Sequence, residues 1–258
     1  MPEGHTIHRA ALDQKPMLDG QDVADSSPQR RFSKGAALID GRICTGIEAL
    51  GKHLLYHFDN GLSVHIHLGL AGLIRRGPMT GEPPRDVIRV RFATQTYAVD
   101  ISGPAICSLL EADEREALRL RIGPDVLAPR PDPARAIERI RKSKAAIGTL
   151  LMNQAVISGI GNIYRIEVLW LLGIDPRRPG NSLSEEEVLA IWKEARRLMK
   201  YGVKHDAIIT KKTSAKGKAR YESKVNIYGE VDSPRCDTDV VQETMAARTL
   251  YYCPGCQS

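Results

Sequence analysis

Aromatic side chains are scarce: three Phe, two Trp and eight Tyr make up 5% of 258 residues. The cores must therefore be built mainly from aliphatic side chains. No apolar run reaches the roughly 18 residues of a membrane-spanning helix, so an integral membrane protein of that kind is excluded. The opening Met-Pro-Glu-Gly-His-Thr lacks the charged and apolar regions of a secretory leader. Cysteine is sparse as well. Five scattered residues, an odd number, do not form a disulfide framework. A reducing cytoplasm is the expected compartment, and Cys44 and Cys107, set among apolar neighbours, read as inert core thiols.

What is present suits two compact domains: 42% hydrophobic and 26% charged residues, with a net charge of +6. That charge is unevenly placed. Residues 200–224 carry eight Lys and Arg against two acids, which accounts for the whole excess. The segment reads either as a solvated loop or as a phosphate-contacting one, and the two are compatible. A helix is expected over 4–18 with Ile7, Ala11 and Leu12 on one face. Short β-rich runs follow at 36–40, 53–58, 62–67, 87–92 and 96–100, and Asp59-Asn-Gly61 suits a hairpin turn. Strands at this spacing predict an antiparallel sandwich or barrel. Four prolines within 123–133 forbid a helix interior and predict a linker. Helical patterns then occupy 134–142, 145–154, 162–172 and 184–201, the last opened by the capping box Ser184…Glu187. The fold class expected is α+β: a β-sandwich domain at 1–124, a proline hinge at 125–133, a helical domain at 134–212, and a basic loop with a terminal β-hairpin at 213–258.

Three features carry chemistry. Glycines in Gly159-Ile-Gly161 let the backbone turn sharply ahead of a helix, whose first N–H groups attract phosphate, and Asn162 at that start adds a donor. Pro2 becomes a secondary amine once Met1 is removed. With an α-amino pKa of about 7.7–8.0, it can attack a sugar C1′ and form an iminium, with Glu3 beside it to shuttle protons. Cys253-Pro-Gly-Cys256 is half of a tetrahedral zinc site, and upstream only Cys236 lies nearby. His65 and His67 alternate on one strand. With no third ligand apparent, they read as hydrogen-bonded structural residues.

Met1-Pro-Glu-Gly, Gly51-Lys52, His67-Leu-Gly-Leu-Ala-Gly72, Ile122-Gly-Pro-Asp125, Gly159-Ile-Gly-Asn-Ile-Tyr164 and Arg248…Tyr252-Cys-Pro-Gly-Cys-Gln257 occur in that order. This resembles the formamidopyrimidine-DNA glycosylase/endonuclease VIII family of base-excision repair over residues 2–257. Leu70, and Ser102 where the other branch has arginine, bring it nearer the endonuclease VIII side. The resemblance implies a helix-two-turn-helix DNA-binding domain and a zinc-finger-like hairpin. It also implies a monomer that acts on damaged DNA as glycosylase and abasic-site lyase, mainly on oxidised pyrimidines. Pro2 would be the Schiff-base nucleophile and Glu3 the general acid/base. Lys52 would reach the phosphate flanking the lesion and assist β-elimination, and Arg248 would grip phosphates and serve δ-elimination. Arg121, Gly161 and Asn162 would contact the DNA backbone, and Leu70 would fill the gap left by an extruded base.

The chain departs from the family pattern at several places. His5 and Thr6 replace a Pro-Glu pair, Asn153 replaces an Asp, and Gly69 and Ala71 are small beside the wedge. The spacing of four cysteines in the family puts Ser233 where the first would be. The expected ligands are thus Cys236, Cys253 and Cys256, with Asp232 or Asp239 as an oxygen donor, or a hairpin that holds no metal. Two other functions fit parts of the pattern: a non-catalytic damage-binding protein on the same fold, and a generic zinc-ribbon nucleic-acid regulator.

Overall fold

The helix α1 (Gly4–Leu18) opens the chain. A computed structural model describes residues 2–211, 224–236 and 238–258. Its contacts divide the chain into two units, Met1–Arg121 and Ile122–Ser258.

In α1, Ile7, Ala11, Gln14 and Leu18 recur at helical spacing and are buried. Leu12, expected on that face, is 60% exposed; a step of one residue beyond Ala11 turns it about 100° away. The Tyr56 hydroxyl donates to Gln14 Oε1 at 2.6 Å and ties the helix to the sheet. Next come β1 (Asp22–Ser26), α2 (Ser33–Ile39), β2 (Arg42–Leu50), β3 (His53–Phe58), β4 (Ser63–His67), β5 (Leu73–Pro78), β6 (Ile88–Ala93), β7 (Tyr97–Ser102) and β8 (Ile106–Leu110), and then α3 (Ala112–Arg121).

Residues 36–40, expected as a strand, form most of α2 instead. Short apolar runs look alike in the two states. Here a local contact decides: Gly35 sits so close to the Phe32 ring that a Cβ would lie 2.3 Å from it.

The strand order is β5-β7-β6-β1-β2-β3-β4-β8, with every described pairing antiparallel. β1 and β2 share only the pairs Asp22↔Ile43 and Val23↔Arg42. The four strands on either side of that junction fold over one core. The Tyr56 ring of β3 meets the Phe92 ring of β6 with centroids 4.4 Å apart. Leu54, Val64 and Ile66 line it from one side and Val90, Val99 and Ile101 from the other. The other face of β3 and β4 lies near α3, whose Arg119 forms a two-pronged pair with Glu48 at 2.5 Å.

The second unit begins at Ile122 and contains the whole proline-rich stretch. Ile122 and Val126 are buried, and Arg196 donates to the Ala128 carbonyl at 3.1 Å. The expected hinge at 125–133 is therefore anchored at its start. The helices are α4 (Ala134–Arg141), α5 (Ile147–Leu150), α6 (Asn162–Leu172) and α7 (Glu185–His205), with a 3-10 turn at Gly180–Ser182. α5 is far shorter than the expected 145–154: after Leu150 the backbone continues in i, i+3 turns, Met152 N to the Thr149 carbonyl and Asn153 N to the Leu150 carbonyl, and the Asn153 side chain accepts from Ala155 N at 3.0 Å. α6 has the expected limits and ends at Gly173 in the left-handed conformation (φ 70). The Ser184–Glu187 capping box is formed, and α7 runs four residues beyond expectation.

The basic segment closes at its neck, where Thr210 N and Lys211 N both donate to the Lys224 carbonyl, at 2.9 and 3.2 Å. Lys212, Lys216, Lys218 and Arg220 lie outside the described residues. The chain ends in the hairpin β9 (Val241–Met245) and β10 (Arg248–Tyr252), whose Leu250 and Tyr252 pack on Ile166 and Trp170 of α6.

Burial alone would raise the Glu48 carboxyl, but hydrogen bonds from His57 and Arg119 outweigh it and hold it near 2. Its native pKa thus lies below its unfolded value. Its stabilising contribution is complete above about pH 4.5 and fades as pH falls toward 2. Thermal unfolding followed between pH 6 and 3 should show a melting temperature that declines less steeply in Glu48→Gln than in the native chain.

Candidate active site and nucleic-acid-contacting elements

Pro2 is half-buried in extended chain just ahead of α1, and Glu3 is the N-cap residue, with φ −116 and ψ 178. Glu3 is fully buried, and its carbonyl accepts from Thr6 N at 3.0 Å. The buried Glu3 side chain thus belongs to the residue next to the proline, with its backbone held at the helix start. Beside it His5 is buried, and burial above all lowers it to about 4, so its imidazole is neutral at pH 7. Its Nε2 lies 3.3 Å from Thr6 Oγ1.

Gly51 and Lys52 form the two-residue connection between β2 and β3, closed by the pair Leu50↔His53. Gly51 has φ +59, which the first position of a type II′ hairpin requires. Lys52 thereby stands at the sheet end. Behind it three imidazoles gather on one face of β3 and β4. His53 Nδ1 and His65 Nε2 are 2.7 Å apart, and the His53 and His67 rings are 4.9 Å apart between centroids. His53 was missed in the sequence; antiparallel register brings it opposite His67. Burial lowers His53 to about 3 and His65 to about 4. Neighbouring imidazoles and Arg121 contribute to both of these shifts, and Lys52 to that of His53, after burial as the largest cause. Among the described residues, only three cysteines meet the geometry of a metal group, so these imidazoles stand as a hydrogen-bonded cluster. Arg121, the last residue of α3, is exposed beside them.

Leu70 is 61% exposed at the tip of the turn after β4. Gly72 N donates to the Leu68 carbonyl at 3.0 Å. Gly69 has φ +67, and a Cβ there would meet the Ala105 Cβ at 2.8 Å. The turn admits no larger residue at that point.

In the second unit Gly161 is the N-cap of α6 and Asn162 its first residue. The Gln154 side chain organises the approach, accepting from Gly159 N at 3.0 Å and donating to the Ile160 carbonyl at 3.0 Å. Asn162 is buried, and its Nδ2 donates to the Thr249 carbonyl at 2.8 Å, so the helix start is tied to the residue after Arg248. One of its two amide hydrogens is committed there. Arg165, also missed in the sequence, is fully buried and donates to Asn162 Oδ1 and to the Gly148 and Met245 carbonyls.

Arg248 begins β10, after a two-residue turn made by Ala246 and Ala247 with φ 54 and 55. Hairpin turns of this kind favour Asn and Gly, and each alanine carries about 1–2 kcal/mol of strain. The hairpin leads to the thiols. Cys236 Sγ lies 2.9 Å from Cys256 Sγ and 3.4 Å from Cys253 Sγ. The three sulfurs converge as the donor set of a tetrahedral metal would. Neither Asp232 nor Asp239 joins them. Both are exposed and bridge to one another instead. Two hydroxyls lie beside the sulfurs: Thr238 Oγ1, 3.2 Å from Cys236 Sγ, and the buried Ser233, whose Oγ is 3.4 Å from Cys256 Sγ. A backbone bond from Ser233 N to the Thr238 carbonyl at 2.9 Å holds it there.

Cations at turns, a glycine-led helix start and a proline beside a buried glutamate belong together in one class of proteins, the DNA glycosylases of base-excision repair. Residues 1–107 match the formamidopyrimidine-DNA glycosylase N-terminal domain and residues 122–214 the formamidopyrimidine-DNA glycosylase H2TH domain. The chain is 36% identical to endonuclease 8 1 of Mycobacterium tuberculosis and 31% identical to endonuclease 8 of Escherichia coli, each over 100% of both chains. The chain belongs to the formamidopyrimidine-DNA glycosylase family. It shares the fold of the Lactococcus lactis formamidopyrimidine-DNA glycosylase bound to abasic-site DNA, with a TM-score of 0.82, 21% identity and 99% of each chain covered.

Ser233→Cys would supply a fourth thiol. Protein purified with zinc in the medium should then hold close to one equivalent, more than the native chain, by elemental analysis. Ala247→Gly should raise stability by about 1 kcal/mol, read from urea unfolding.

Proposed function

We propose that this chain is a bifunctional DNA glycosylase and abasic-site lyase that removes oxidised bases, mainly pyrimidines. The observation that carries the reading is the Pro2–Glu3 start, with Glu3 buried as the N-cap of α1, in a chain related end to end to endonuclease 8. The Pro2 amine attacks C1′, the N-glycosidic bond breaks, and the base leaves with a proton. Opening of the sugar gives an iminium on the proline nitrogen. Loss of a C2′ proton expels the 3′ phosphate, a second elimination expels the 5′ phosphate, and water releases the enzyme. Glu3 moves protons at the sugar. Lys52 and Arg121 bind phosphate, and Lys52 assists the first elimination and Arg248 the second.

The DNA partner follows from the bound abasic-site DNA of the Lactococcus lactis relative. The glycine-led start of α6, at Gly161 and Asn162, suits a phosphate through the positive end of the helix. Leu70, apolar on a glycine-bounded tip, suits the space vacated by an extruded base. Cys236, Cys253 and Cys256 would hold a structural zinc that braces the hairpin bearing Arg248. The protein acts as a monomer in the cytoplasm, where its thiols stay reduced.

Borohydride reduces an iminium to a stable amine. Native protein incubated with oxidised-pyrimidine or abasic duplex and borohydride should run as a covalent protein–DNA adduct, and Pro2→Gly should lower its yield at least tenfold. An undiminished adduct after replacement of Pro2, or specific binding with no adduct from the native chain, would reject the mechanism. The second result would instead mark a damage-binding protein.

A further inference from the structure

The turn that follows β4 is anchored in the core by Leu68, but its tip has little side-chain packing, since Leu70 is 61% exposed and Ala71 is exposed. Its form depends on two backbone donors. One bond is internal, from Gly72 N to the Leu68 carbonyl at 3.0 Å. The other leaves the backbone: Gly69 N donates to His67 Nδ1 at 3.1 Å. A ring nitrogen that accepts this bond carries no proton, so His67 is the neutral tautomer protonated at Nε2.

We infer that His67 is a positioning residue for the Leu70 wedge, holding the 68–72 turn through the bond from Gly69 N–H to its Nδ1. The inference rests on the glycosylase reading for the wedge's use, but the bond itself belongs to the free protein. Protonation of His67 would put a hydrogen on Nδ1 and turn acceptor into donor, and the turn would lose that hold. The charged and titratable groups around the cluster are Lys52 in the β2–β3 turn, His53 on β3, His65 on β4 and Arg121 at the end of α3. All are basic. Burial first, then Lys52, lowers His67 from its ordinary value and keeps the bond intact at neutral pH.

Asparagine can replace the imidazole in this role. Its Oδ1 accepts from the N–H two residues on, the geometry of an Asx turn. Leucine fills similar space without an acceptor. In the free protein, the Gly69 amide followed by nitrogen–proton NMR should shift together with the His67 ring on acidification. In His67→Leu it should exchange faster with solvent.

On DNA, the probe is a duplex with a tetrahydrofuran abasic analogue opposite 2-aminopurine, whose fluorescence reports filling of the gap. His67→Leu should weaken binding about tenfold, the loss of one hydrogen bond, and should abolish the fluorescence change. His67→Asn should stay within about twofold of native, since it keeps that bond. On a Leu70→Ala background, His67→Leu should add nothing further.

Equal losses in His67→Asn and His67→Leu would overturn the inference. So would a Gly69 amide indifferent to His67, or a full His67→Leu effect without Leu70. A native chain that gives no borohydride adduct would instead overturn the glycosylase reading and leave the Gly69 result standing.

Discussion

Two buried charges on α6 hold the second unit together. Arg165 and Glu167 are both fully buried, two residues apart, and each is satisfied by a different part of the chain. The Glu167 carboxylate accepts from Thr210 Oγ1 at 2.5 Å, from Asn226 N and Nδ2 at 2.8 Å, and from Ile227 N and Tyr228 N at 2.9 Å. It gathers both ends of the basic segment. Arg165 gathers the α5 turn, the helix start and the hairpin. Charges taken out of water are tolerated only with partners of this number and quality. One helix therefore fixes the approach of the lysine-rich segment and the position of Arg248. Loss of either charge would leave several buried groups unsatisfied at once.

The first unit is organised differently, by aliphatic packing and strand register. Its candidate chemistry lies at the edges of that packing: the chain start before α1, the two-residue turn bearing Lys52, and the Leu70 turn. Rigid strands set these short loops, so a few glycines decide the geometry. Gly51 closes a hairpin at φ +59 and Gly69 opens the Leu70 turn at φ +67.

Much of this could be read from the sequence because it depends on local patterns. The limits of α1 and α6, the capping box of α7 and the hairpin at 59–61 follow from apolar spacing, caps and turn residues. The family followed from short motifs spread over the whole length. What could not be read depends on contacts distant in sequence. α2 is a local exception: the apolar run alone suggests a strand, and Phe32 against Gly35, three residues on, settles its form. The third imidazole escaped notice because only the pairing of β3 with β4 sets His53 across from His67. The acidic candidates beside the cysteines, Asp232 and Asp239, were plausible by spacing, yet their backbones pair with each other and leave Ser233 facing the sulfurs. Arg165 and Glu167 look like surface charges in sequence, and their partners lie up to 80 residues away.

The turn before Arg248 has a chemical consequence as well as a conformational one. Asn-Gly would adopt the same left-handed pair without strain, but it is also the dipeptide most prone to deamidation. The succinimide route would lengthen the backbone by an isoaspartyl link and place a new carboxylate next to the Arg248 guanidinium. Ala246 and Ala247 have no side-chain amide to react. The hairpin tip is therefore strained but chemically durable, and it does not age in the way an unstrained Asn-Gly tip would.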